Sequence, residues 1–181
     1  SNFVADKVDL IFANSTPSAL TAYNATKDIP ILFTAVSDPV GAQLVNEDGF
    51  GTNISGTTDL HPEAISKTVE FIDTYFPQST VGLIYNAGEQ SSVMQIDLVN
   101  EAVKGTTLST VETTVATTAD VKQAADSLVG RVDVFYIVTD NTVVSGLSSV
   151  VEISQTQKIP LFVGELDSVN AGGFAAFGFN Y

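Results

Sequence analysis

Cysteine is absent from the 181-residue chain, which removes disulfides, thiolate metal sites and cysteine nucleophiles together. Histidine occurs once, as His61 beside Pro62, in a helix-start context that does not read as a catalytic base. Basic residues are scarce: 7 Lys and Arg against 21 Asp and Glu leave a net charge of −14. That balance argues against nucleic acid or an anionic membrane surface as a partner, because both need a basic footprint. Its plainest reading is solubility. No G-x-G-x-x-G or Walker loop is present to cradle phosphates, and no G-x-S-x-G to carry a serine nucleophile. No apolar run approaches the ~18 residues of a membrane span, and no signal peptide is visible at the start.

What is present is a core-forming chain, 44% hydrophobic, with a strand–helix–strand rhythm. Residues 132–138 and 159–163 are apolar, β-rich runs on either side of a helix-length segment. Polar residues collect where each run stops: Thr139, Asp140 and Asn141, then Glu165, Asp167 and Ser168. The same βαβ unit occurs earlier. Lys27-Asp28-Ile29-Pro30-Ile31-Leu32-Phe33 parallels Gln157-Lys158-Ile159-Pro160-Leu161-Phe162-Val163, and Asp38 falls where Asp167 falls.

Between these, the spacing predicts strands over 8–13, 29–36, 80–85, 106–115 and 174–181, and a crossing strand over 51–55. Helices are predicted from Thr16 to Lys27, from Pro62 to Phe76, from Ser91 to Val103 and from Ala119 to Val129. Met94 sits at core spacing in the third of these. The expected fold is α/β: two doubly wound parallel-sheet lobes with a hinge. The first lobe is incomplete, with two strands and one helix. Residues 1–52 form it, 53–56 cross the hinge, 57–173 make a complete second lobe, and 174–181 return as a hinge strand. The chain reads as a fragment, since it stops within an apolar, strand-like pattern.

Ligands of open α/β sheets bind outside the carboxyl ends of the strands. Asp38, Glu89, Asp140, Glu165 and Asp167 stand at or just past such ends, while all seven basic residues fall elsewhere. A crevice there is acidic, so its guest carries a positive group. A carboxylate on the same guest would be held by backbone N–H groups near Ser18, Ser91 and Asn141. An amino acid meets both demands. Plainer readings stand beside this one: Asp140 and Asn141 as helix caps, Asp38 as a turn acid, and Tyr85, Phe179 and Tyr181 as core or hinge packing.

The segments Thr16-Pro17-Ser18-Ala19, Phe33-Thr34-Ala35-Val36-Ser37-Asp38-Pro39-Val40-Gly41, Tyr85-Asn86-Ala87-Gly88-Glu89, Thr139-Asp140-Asn141-Thr142 and Gly178-Phe179-Asn180-Tyr181 carry a resemblance. In this order they resemble the solute-binding proteins of bacterial ABC importers, and among them the tryptophan and other aromatic amino-acid binding lipoproteins. The resemblance implies a type I periplasmic-binding-protein fold that closes on a small molecule and presents it to an ABC permease. It places the protein outside the cytoplasm, in the periplasm or at the cell surface, with membrane attachment only through a lipid anchor missing from this chain. It further implies Thr16, Ser18 and Asp38 on the first lobe, and Asn86, Glu89, Ser91, Asp140, Asn141 and Asp167 on the second, as ligand contacts. Tyr85 or Phe179 is expected to lie against the ligand's side chain, and Glu89 or a strand-end Asp against its ammonium. No cofactor, metal or catalysis is expected. The competing readings are an effector-sensing domain of a transcription regulator and a Mg²⁺-dependent enzyme using the strand-end acids.

Overall fold

The βαβ rhythm produces two separate sheets in which every strand pair is parallel. A computed structural model describes residues 2–178, and the chain divides into two compact units, Ser1–Leu60 and His61–Tyr181. Phe179, Asn180 and Tyr181, and with them the end of the expected last strand, lie outside the described residues.

The first unit opens with a short helix α1 (Asn2–Ala5), followed by β1 (Ile11–Asn14), α2 (Thr16–Ala25), β2 (Ile31–Thr34) and β3 (Ile54–Gly56). Its sheet has the order β1-β2-β3, so the segment read as a crossing supplies a third strand where two were expected. Ile54 pairs with Ile31, and its side chain is buried in the core that Ile11, Ala13, Ile31 and Phe33 form with Ala19 and Ala22 of α2 and with Leu44. A Cβ at Gly56 would strike the carbonyl and ring of Phe33, so glycine is what lets β3 close on β2. Among the described residues only one face of this sheet is covered. β1 alternates buried and exposed, and Phe12 and Leu32, neighbours in register, remain 67% and 45% exposed.

The second unit continues with α3 (Ala64–Tyr75), β4 (Thr80–Tyr85), α4 (Gln90–Val103), β5 (Ser109–Thr114), α5 (Val121–Leu128) and β6 (Val134–Ile137). It ends with α6 (Asn141–Ser145), α7 (Leu147–Gln157), β7 (Leu161–Val163), α8 (Leu166–Asn170) and β8 (Ala175–Ala176). The strand order is β5-β4-β6-β7-β8. Numbered within this sheet, that is 2-1-3-4-5, a doubly wound order whose direction reverses between β4 and β6. β6 and β7 are buried on both faces, as central parallel strands between helical layers should be. Phe135, Ile137, Leu161 and Val163 pack with α5 and α7 on one side. On the other, the Phe162 ring meets Phe71 of α3, Phe76 and Phe174 at 5.4–5.9 Å. Tyr136 is also buried, and loss of solvent pushes its phenol up to about 12 even though Thr68 hydrogen-bonds it.

Candidate functional site

The reversal between β4 and β6 is where polar residues converge. The chain leaves β4 through Asn86–Glu89 and leaves β6 through Thr139–Thr142, and the two turns are laced together. Asp140 caps α6 by accepting from Val143 N at 2.8 Å, while its other oxygen accepts from Asn86 N at 2.7 Å. Asn86 Nδ2 donates to Thr142 Oγ1 (2.9 Å), whose own proton then goes to Glu89 Oε1 (2.6 Å). Glu89 also accepts from Thr142 N (3.1 Å), Asn141 N (3.3 Å) and Asn141 Nδ2 (2.8 Å).

These bonds settle the local role of two acids. The capping reading of Asp140 holds: it is fully buried and both of its oxygens are engaged. Glu89, buried at 8% exposure, caps the same helix from outside, a role its place in the sequence did not reveal. Four protein donors fill its roughly four lone-pair sites, as an acceptor-only carboxylate allows. A ligand ammonium on Glu89 would therefore have to displace one of them. The α6 amides expected to hold a carboxylate are likewise taken, those of Asn141 and Thr142 by Glu89 and that of Val143 by Asp140.

Both carboxylates stand without a cation. Among the described residues the ion pairs are Lys67–Glu70, Lys104–Glu101 and Lys122–Asp126, all on exposed helix surface. At the switch point the charge of Glu89 and Asp140 is met by hydrogen-bond donors and not by a Lys or Arg. Among the described residues no cluster of three or more His, Asp or Glu has a geometry that could hold a metal ion.

The other expected residues of this unit spread out from that centre. Ser91 is buried in the first turn of α4. Tyr85 turns toward β5, where its hydroxyl donates to Glu112 at 3.0 Å, and burial and this bond hold its phenol above the usual range. Asp167 is exposed in the first turn of α8, where its neighbour Ser168 donates to Glu165 at 2.7 Å.

In the first unit, Thr16 is buried at the start of α2. Ser18 lines a surface cavity of about 430 Å³ with Phe12, Asn14 and Thr21. Asp38 forms a turn by accepting from Gly41 N at 2.8 Å, which is its plainer role.

Sequence reasoning missed Gln95, and named Thr139 and Thr142 only as neighbours of Asp140 and Asn141, with no role of their own. Gln95 has 1% exposure and exchanges hydrogen bonds with Thr139. A signal existed: Ser91, Ser92, Gln95, Ile96 and Val99 form the buried face of α4, and its first turns are polar. The eye follows Met94 and Leu98 instead, and Leu98 is exposed.

A profile of the ABC transporter substrate binding protein family matches residues 1–181. A tyrosine-binding protein of Clostridioides difficile (strain R20291) is 45% identical over 183 residues, covering all of this chain and 52% of that protein. The chain thus spans about half the length of this curated relative. Among solved structures, a conserved domain protein from Vibrio cholerae matches at 35% identity with a TM-score of 0.92, covering 99% of this chain and 61% of that one. An ABC domain from Streptococcus pneumoniae in complex with L-Trp matches at 30% identity with a TM-score of 0.88, covering 95% of this chain and 58% of that one.

Proposed function

The chain belongs to the ABC transporter substrate-binding protein family, and from that premise we propose that it captures an aromatic amino acid outside the cytoplasm for delivery to an ABC permease of an importer. The observation that carries this reading is the pair of buried, cation-free carboxylates at the β4/β6 reversal, which favours a ligand bearing an ammonium group. The relatives point the same way, since one is named for tyrosine and another was solved with L-Trp. Glu89 and Asp140 act through their field and by holding the turns. Asn86 and Asn141, on the rim of the same turns, take the direct polar contacts. Ser91, Tyr85 and Asp167 are proposed as outer contacts, and Thr16, Ser18 and Asp38 as those of the first unit. Attachment to the membrane is proposed to be through a lipid anchor; among the described residues no helix is long and apolar enough to cross a membrane.

Calorimetric titration of the purified protein with L-Tyr, L-Trp, L-Phe and L-Leu tests the reading. Saturable heat is expected for at least one aromatic amino acid, and its loss is expected when the α-amino group is acetylated. Equal affinity for the acetylated and free forms would sink the ammonium argument. No binding of any aromatic amino acid by folded protein would sink the assignment.

A further inference from the structure

Among the described residues the strand ladder on β6 ends at Ile137. Its pairing with β4 ends at Leu83↔Tyr136 and its pairing with β7 at Ile137↔Val163. Two residues later, a side chain supplies the missing rung. Gln95 Oε1 accepts from Thr139 N at 3.3 Å, and Gln95 Nε2 donates to Thr139 O at 3.3 Å, so one amide meets both backbone groups as an adjacent strand would. The remaining valences are also used. Thr139 Oγ1 donates to Oε1 at 2.8 Å, and Nε2 donates to Ser91 O at 3.2 Å. Both N–H donors and both lone pairs of the carbonyl oxygen are used, the full capacity of a primary amide. The orientation of the amide is fixed, because reversing it would set NH₂ against an N–H and a carbonyl oxygen against two others.

We infer that Gln95 is a positioning residue for ligand binding, an inference that rests on the amino-acid-binding reading above. With Glu89 it makes α4 a two-point clamp on the β6–α6 turn. Gln95 fixes the turn's entry at Thr139, and Glu89 fixes its exit at Asn141 and Thr142. The turn is thereby ordered before the ligand arrives, and binding does not bear the entropy of ordering it. Gln95 itself, with 1% exposure, acts only through the residues it holds.

Two substitutions separate this role from simple packing. Gln95→Leu keeps the apolar stem and removes all four bonds. It is expected to lower affinity for the bound aromatic amino acid tenfold or more when measured well below the unfolding temperature. Gln95→Glu is pH-dependent. The ionised carboxylate faces the carbonyls of Ser91 and Thr139, whereas the protonated acid restores one donor, so its affinity is expected to rise from pH 8 toward pH 5. Glu89 and Asp140, the nearby titratable groups, are present in both proteins, so the wild-type profile over the same range is the baseline. A Gln95→Glu profile parallel to wild type, or a Gln95→Leu affinity equal to wild type, overturns the inference. Amide hydrogen exchange decides the clamp without any ligand. In Gln95→Leu the Thr139, Asn141 and Thr142 amides should exchange at least tenfold faster while Phe135 and Tyr136 do not change. Unchanged exchange at Thr139 would refute the clamp. Failure of the wild type to bind any aromatic amino acid would instead refute the functional reading and leave the exchange result to decide the clamp. Should Gln95→Leu not fold, Thr139→Val, which removes only the 2.8 Å hydroxyl bond, takes its place with a smaller expected loss.

Discussion

Leu32 and Phe162 occupy matching places in two copies of one sequence pattern, yet Leu32 is 45% exposed and Phe162 is 1% exposed. Each is the second residue of a strand preceded by Ile-Pro, with a strand paired in parallel on either side. The difference lies in what covers them. In the second unit α3 lays Phe71 over Phe162, and Phe76 and Phe174 close the surround. In the first unit α2 covers the face of Ile31 and Phe33, and among the described residues nothing buries the face of Phe12 and Leu32. Apolarity within a strand is a local property, whereas burial is conferred by the layers around it.

The largest expected effect tests that contrast directly. Phe162→Ala should destabilise the second unit by about 3–5 kcal/mol, the usual cost of emptying an aromatic site in a core. Leu32→Ala should cost no more than about 1 kcal/mol, since a half-exposed side chain has little transfer energy to lose. Urea unfolding of both variants against wild type measures this. A Leu32→Ala cost equal to that of Phe162→Ala would mean that the face is covered in solution, and the contrast would vanish.

Tyr136 sharpens the same point through pH. Its phenol is pushed from 10 up to about 12 by burial, so the folded protein keeps the proton where the unfolded chain releases it. Stability from this group is therefore whole below pH 10 and falls as pH rises from 10 through 12, by about 3 kcal/mol for two units of displacement. Comparing wild type with Tyr136→Phe across that range isolates the effect from general charge repulsion. Phenolate absorbance from Tyr136 should be absent from the folded protein near pH 10 and appear only toward pH 12 or as the second unit unfolds. Titration of all five tyrosines in the folded protein near pH 10 would contradict the two-sided coverage.

Much of the fold was legible because it rests on local periodicity. The 3.6-residue spacing of Ile65, Val69 and Ile72 marks α3, and the apolar run from Thr80 to Tyr85 is β4 as printed in the chain. What was not legible is short, or is a matter of which elements pair. The five-residue α8 has too few turns to show a period, and the strand read over 51–55 could not be seen to join β2 in the first sheet, a pairing of Ile54 with Ile31. In the site, acids at strand ends could be read as a group, and Asn86, Glu89, Asp140 and Asn141 do come together. The direction of their bonds could not be read. Glu89 lies 52 residues before Asn141, and nothing in either segment says that its carboxylate caps a helix so far along the chain. Gln95 is invisible for the same reason, since its partner Thr139 is 44 residues away.

The smallest effect returns to the first unit and to a strand end. Ser15, between β1 and α2, has φ 78° and ψ 158°, a conformation that essentially only glycine adopts without strain. It is held there from both sides, donating its N–H to Thr34 O and accepting from Ala19 N. In the second unit the non-glycine residue closing α7, Lys158, lies at φ 58° and ψ 37°, the milder left-handed region. Ser15→Gly should relieve strain worth about 1–3 kcal/mol and give back part of it through the freer unfolded chain, for a net gain of about 1 kcal/mol. Lys158→Gly should gain less, because an αL helix end costs a side chain only modestly. Midpoints of urea unfolding order the two. If Ser15→Gly destabilises the protein, the serine is held by an interaction stronger than its backbone strain, and its hydroxyl, 3.5 Å from that of Ser18, is the first place to look for it.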